Sequence, residues 1–169
     1  MNYLVTGGAG FIGSHFAGYL VNRGHDVTVI DNLFSGKKEN IQHLRDNPHF
    51  HFVQGSITDP GLLNDVFLGA DGVFHQAAIP SVPRSIKDPV GTNEVNVNGT
   101  LQVLMAAKEC GVKKVVYASS SSVYGDTPTL PKVEGMTPNP KSPYAVSKLA
   151  AEYYCRVFSE VYGIKTVAL

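Results

Sequence analysis

Short β-branched and aliphatic runs recur along the chain and predict strands near Asn2–Thr6, Asp26–Ile30, Phe50–Gln54, Gly72–His75, Lys114–Ala118 and Thr166–Leu169. Between them, apolar residues fall at helical spacing and predict helices near Phe11–Arg23, Lys38–Arg45, Pro60–Phe67, Pro89–Glu109 and Ser142–Tyr162. Gly24, Gly111 and Gly163 each follow one of these helices, where a left-handed residue ends the turn. Regular alternation of strand and helix is the pattern of an α/β fold. It predicts a doubly wound parallel sheet with helices on both faces, and residues 1–169 as one domain.

The first strand-to-helix junction reads Thr6-Gly7-Gly8-Ala9-Gly10-Phe11-Ile12-Gly13. Glycines at such a junction let the backbone turn sharply, approach a pyrophosphate without a Cβ in the way, and pack the helix closely on the strand. The freed amides and the positive helix end then attract the anion. Asp31 closes the next strand, where its carboxylate is placed to accept from the ribose hydroxyls of an adenosine and to repel a 2′-phosphate. NAD is therefore expected over NADP, although Lys37 and Lys38 follow closely and offer positive charge.

Composition narrows the partners. Fourteen basic residues balance fourteen acidic ones, which argues against a nucleic-acid surface, since phosphate backbones need a concentrated excess of Lys and Arg. Met1–Asn22 carries no charged side chain except His15, but it lacks a basic leader and is interrupted by Gly7, Gly8, Gly10 and Gly13, so neither a signal peptide nor a membrane anchor is expected. The cytoplasm is the expected location. Cys110 and Cys155 show no metal-type spacing and read as reduced thiols. His49 and His51 alternate on one strand face without a third ligand in step, so no metal is expected.

Tyr144-Ala145-Val146-Ser147-Lys148 sets a phenol and an ammonium four residues apart on one helical face. A free tyrosine, with a pKa near ~10, is a poor base at neutral pH, and a cation one turn away favours the phenolate. Upstream, the apolar run Val115-Val116-Tyr117-Ala118 breaks into Ser119, Ser120, Ser121 and Ser122 at the carboxyl end of a central strand, the edge from which open α/β sheets present ligand-binding groups.

Taken together, these residues resemble the extended short-chain dehydrogenase/reductase family, and the resemblance runs through all 169 residues. It implies a Rossmann-type NAD-binding domain with pyrophosphate contacts from Gly7, Gly10, Phe11, Ile12 and Gly13. Asp31-Asn32-Leu33 followed by Ser35-Gly36 is similar to the adenosine-side loop of nucleotide-sugar epimerases. Gln76, Ala77 and Ala78, in a segment resembling H-x-A-A, are implied beside the cofactor, as is Asn96 of Asn96-Val97-Asn98-Gly99-Thr100. Ser56, before Ile57, stands where the family usually has an aspartate on the adenine amino group. The implied catalytic set is Ser120, Tyr144 and Lys148, the last two also touching the cofactor.

The same resemblance implies a UDP-sugar substrate, of the UDP-glucose or UDP-N-acetylglucosamine type, epimerised at C4. Ser81, Arg84 and Ser85 fall in a segment that looks like the substrate-side loop, with Ser120 and Tyr144 at the reacting carbon. Family dehydratases carry Asp-Glu at the two positions after the catalytic serine; here these are Ser121 and Ser122. Other readings open at this stage are a non-catalytic NAD-binding module, a dehydratase, and an NADP-dependent reductase. The family's UDP-binding segment is expected beyond Leu169. The chain is accordingly expected to bind NAD better than it catalyses, with weak or absent epimerase activity, and either to form a homo-oligomer through its edge strand and uncovered apolar surface or to be a marginally stable fold.

Overall fold

A computed structural model describes residues 1–169. Six parallel strands form one sheet in the order β3-β2-β1-β4-β5-β6. They are β1 (Asn2–Thr6), β2 (Asp26–Asp31), β3 (Phe50–Gln54), β4 (Gly72–His75), β5 (Lys114–Tyr117) and β6 (Lys165–Ala168). This is the Rossmann order, and each strand lies within a residue of the position its apolar pattern predicts.

Alternation along the strands feeds two cores. Leu4, Ile30, Val73, Val115 and Tyr117 face one side and pack on α2 (Pro60–Phe67), α5 (Gly99–Glu109) and α6 (Pro143–Tyr162). Val5, Val27 and Val29 face the other and pack on α1 (Phe11–Val21). Both faces are therefore covered, three helices against one. Gly24, Gly111 and Gly163 adopt φ of 76°, 70° and 73°, as helix termination requires. No helix is long and apolar enough to cross a membrane.

Three elements depart from expectation. Lys38–Leu44 winds as a 3-10 helix, not an α-helix. Its two buried residues, Ile41 and Leu44, are three apart and align on a three-residue turn, while Asn40 ties the turn to the Ala9 carbonyl at 2.8 Å. The long helix expected over Pro89–Glu109 is α4 (Pro89–Asn93), a π turn at Glu94–Asn98, and α5. Its signature is the Gly99 amide bonding to the Glu94 carbonyl, five residues back. Finally, the segment expected as a loop around Arg84 contains α3 (Val82–Lys87), capped by the Ser81 hydroxyl on the Arg84 amide at 3.2 Å.

Sheet topology places the site. The chain leaves β1 toward β2 and leaves β4 toward β5, so their carboxyl ends part at the switch point where a crevice opens.

Candidate active site at the sheet switch point

A cavity of about 450 Å³ occupies this crevice. Its lining includes Gly7, Gly10, Phe11, Ile12 and Gly13 from the first junction, Asp31, Asn32 and Ser35 after β2, Ser56 and Ile57 after β3, and Gln76, Ala77 and Ala78 after β4. Thirteen of the residues expected at the cofactor thus converge on one cleft. Phe34, Gly55, Ile79, Pro80 and Val95 also line it and were not anticipated.

The glycines are needed where the backbone is closest. Gly7 has φ of 68°, and a Cβ there would lie 2.6 Å from the Ala77 nitrogen. A Cβ on Gly13 would lie 2.4 Å from the Gly7 carbonyl oxygen. Ser14 is the first amide of α1 to find a carbonyl, that of Gly10 at 3.0 Å. The amides before it point from the helix start, with no acidic residue in the first turn to oppose an anion.

Asp31, 8% exposed, accepts the Ala9 amide at 3.0 Å on one carboxylate oxygen and the Leu33 amide at 2.7 Å on the other. Each oxygen keeps a further lone pair for a ligand. Gly36 lies beside it: a Cβ there would be 2.8 Å from one of these oxygens, so glycine leaves room for the acid, and Gly36 does not line the cavity. Ser56 accepts the Thr58 amide at 3.2 Å and sits at the cavity wall in this local turn.

His75, at the end of β4, was not expected to matter as a side chain. It is 1% exposed, with Nδ1 2.6 Å from the Thr6 hydroxyl and Nε2 2.9 Å from the Thr100 hydroxyl. Thr100 already donates its proton to the Asn96 carbonyl at 2.7 Å, so it accepts from His75 Nε2–H. The bare Nδ1 then accepts from Thr6, which itself accepts the Ala77 amide at 3.2 Å. Burial, reinforced by the positive Lys148, drives the His75 pKa down to about 3 and keeps the ring neutral.

Asn96 does not line the cavity. It is 1% exposed; its Oδ1 accepts the Ile79 amide at 2.7 Å and its Nδ2 donates to Ser147 Oγ at 3.0 Å. Its place is behind the cleft, joining the cavity wall to α6.

None of the expected catalytic residues Ser120, Tyr144 and Lys148 lines the cavity. Tyr144, half-buried in the first turn of α6, is held by its amide, which donates to Ser85 Oγ at 3.0 Å. Ser85 is fully buried and donates to the Val82 carbonyl at 2.8 Å, so its hydroxyl is taken up inside the fold instead of facing a substrate. Ser81 caps α3, whereas Arg84 is exposed.

Lys148, 4% exposed, donates to the Ala118 carbonyl at 2.8 Å, with its ammonium 4.9 Å from the Tyr117 ring centroid and 5.9 Å from that of Tyr144. Burial lowers its pKa to about 8, which leaves it cationic at neutral pH. One turn further along α6, Glu152 accepts from the Ser119 hydroxyl. Ser120 begins the 3-10 turn at Ser121–Tyr124, and its Oγ accepts both the Ser122 amide at 3.2 Å and the Ser122 hydroxyl at 2.9 Å.

Among the histidines read as a weak metal signal, His49 bonds Asp26 at 2.8 Å. Both cysteines are free thiols.

The sequence profile of the NAD dependent epimerase/dehydratase family matches residues 3–169. The chain belongs to that family. A UDP-glucose 4-epimerase from Mycolicibacterium smegmatis is 43% identical over 168 residues, which cover 97% of this chain and 53% of the relative. A UDP-N-acetylglucosamine 4-epimerase from Methanobrevibacter ruminantium, solved in complex with UDP-N-acetylmuramic acid, superposes with a TM-score of 0.94 at 40% identity, over 99% of this chain and 53% of the other. A dTDP-glucose 4,6-dehydratase from Streptomyces venezuelae, solved with NAD bound, superposes with a TM-score of 0.95 at 37% identity, over 99% and 54%. The chain spans about half the length of these relatives.

Proposed function

We propose that this chain carries the cofactor site and catalytic residues of an NAD-dependent UDP-sugar 4-epimerase, acting on UDP-glucose or UDP-N-acetylglucosamine. The observation that carries this reading is the surroundings of Ser120. Ser122 donates to it twice, so Ser120 has its own proton left to offer a substrate oxygen. At the two positions where dehydratases of the resembled type place an acid and a base, Ser121 and Ser122 supply only hydroxyls. Elimination of water needs those carboxylates; epimerisation does not.

The cleft suits NAD. Gly7 and Gly13 clear a path for the pyrophosphate, the first amides of α1 face it, and Asp31 retains lone pairs for the adenosine ribose. Bound there, NAD would supply a hydride acceptor for oxidation at the sugar C4 and, once reduced, the hydride donor for its re-reduction from the opposite face. Tyr144 takes the 4-hydroxyl proton as C4 is oxidised and gives it back on reduction. Lys148, cationic and with its ammonium 5.9 Å from the Tyr144 ring centroid, is placed to attract negative charge that develops on the phenol oxygen while the proton is in transit. Ser120 donates to the oxygen whose bond order changes. Ser81 and Arg84 are assigned to the sugar or its diphosphate, and Ser85 serves by seating the Tyr144 amide.

The reading carries with it a cytoplasmic location and a homo-oligomeric state, the latter open to sedimentation. The deciding experiment mixes purified protein and NAD with UDP-glucose deuterated at C4, and in parallel with UDP-N-acetylglucosamine. Formation of the C4 epimer with deuterium retained is expected. A 4-keto-6-deoxy product would replace epimerisation with dehydration, and NAD binding without any change in either sugar would favour a cofactor module.

A further inference from the structure

We propose that Phe34 and Arg84 form a clasp across the mouth of the cleft that sets how fast NAD enters and leaves. The inference rests on the reading of the cleft as an NAD site and does not depend on the sugar. Its two halves come from opposite walls. Phe34 follows β2, on the adenosine side, while Arg84 belongs to α3, which follows β4.

The loop that presents Phe34 is wound tightly. Leu33 has φ of 62°, a region leucine rarely adopts, and its amide is held by Asp31 Oδ1 at 2.7 Å. The Phe34 amide is held in turn by Asn32 Oδ1 at 3.0 Å. These two side-chain turns thrust the ring outward, so that it is 61% exposed and still lines the cavity. A ring so placed gains little by burial. Its partner lies across the gap: the Arg84 guanidinium carbon is 5.1 Å from the ring centroid, within the ~6 Å reach of a cation–π contact.

Arg84 takes part in none of the salt bridges, which are His49–Asp26, Lys113–Asp71 and Arg156–Glu160. Its charge is therefore left to the ring and to whatever anion fills the cleft. The helix behind it is fixed at its start by the Ser81 cap and, at the residue next to Arg84, by Ser85 bonded to the Tyr144 amide. The arginine is thus presented from a firm base, and a dinucleotide in the cavity lies behind the pair. An enzyme that regenerates its cofactor in every cycle benefits from keeping it.

The test follows NADH, whose fluorescence reports occupancy, after rapid mixing of the NADH-loaded chain with excess NAD. Phe34→Ala and Arg84→Ala should each speed release by about two- to five-fold, the range of a surface cation–π contact. The double variant should release no faster than either single one, because both break the same contact. Phe34→Trp should keep the wild-type rate, and Phe34→Leu should behave like Phe34→Ala, since the ring face and not its bulk is required. NADH binding with unchanged release, or single effects that multiply in the double variant, would overturn the clasp alone. Failure of the wild-type chain to bind NADH would overturn the cofactor reading and the clasp with it.

Discussion

Acid should destabilise this fold through one side chain, His75. The ring is locked neutral between Thr6 and Thr100, and burial depresses its pKa to about 3 from an ordinary 6.5. A folded-state value below the unfolded one means that the unfolded chain binds the proton first. The stabilisation is therefore complete above the unfolded value and drains away as pH falls toward the folded one. Each pH unit in that window removes ~1.4 kcal/mol, so moving from pH 7 to pH 5 should cost about 2 kcal/mol. For a domain of this size, that corresponds to a fall in melting temperature of roughly 4–8 °C.

Replacement by glutamine isolates the effect. His75→Gln sets one acceptor and one donor in the same pocket without a titrating group. It should be less stable at pH 7 by about 1–2 kcal/mol, because the amide cannot match both hydroxyls as well as the ring does. It should also lose most of the extra acid sensitivity, while the response of the carboxylates, common to both proteins, cancels in the difference. Urea midpoints at pH 7, 6 and 5 give the comparison. Parallel pH dependences for the two proteins would refute the argument, since the wild-type slope would then come from other groups.

Three further outcomes follow from the cleft. Gly7→Ala should lower the urea midpoint by more than the ~1–2 kcal/mol of a left-handed alanine, because its Cβ would also lie 2.6 Å from the Ala77 nitrogen; an unchanged midpoint would contradict this. Asp31→Ala should weaken NAD by roughly 10- to 100-fold and narrow the preference over NADP in calorimetric titrations, with equal NAD affinity in both proteins counting against the ribose assignment. Tyr144→Phe should leave NAD binding intact and slow hydride transfer from a UDP-sugar by about 10²–10⁴-fold, and near-normal turnover would remove the phenol from the chemistry.

The strands were legible because each is an apolar run bounded by turn residues, a local signal. Asp31 and the glycine loop were legible for a similar reason: the glycine spacing at a strand-to-helix junction and an acid at the next strand's end are local patterns, even though the atoms that a Cβ on Gly7 would meet belong to the distant Ala77. α3 was not. Val82 and Ile86, its large apolar residues, are exposed, and the residue it buries is Ser85, so the helix shows no apolar stripe. The π turn was equally hidden, since one extra residue in a helical path leaves the apolar pattern readable as a single helix. His75, Ser147 and Glu152 escaped notice because their partners Thr100, Asn96 and Ser119 lie 25, 51 and 33 residues away, and only the folded sheet brings them together.

Two of those hidden residues, His75 and Ser147, lie on one connected path. From the phosphate-loop side it runs through Thr6, His75 and Thr100 to the Asn96 carbonyl, then through the Asn96 side chain to Ser147, which donates to the Tyr144 carbonyl at 2.7 Å. Asn96 lies within the π turn; its carbonyl accepts from the Thr100 hydroxyl, and its side-chain oxygen holds the Ile79 amide at the cavity wall. A buried polar chain of this kind is costly if any member loses its partner and stiff when all are satisfied. Hydride transfer tolerates little displacement, a shift of ~1 Å being enough to cost about 100-fold in rate. This polar path links the first strand-to-helix loop to the helix that carries Tyr144 and Lys148, so on the proposed reading one set of hydrogen bonds, rather than two independent ones, would position cofactor and base.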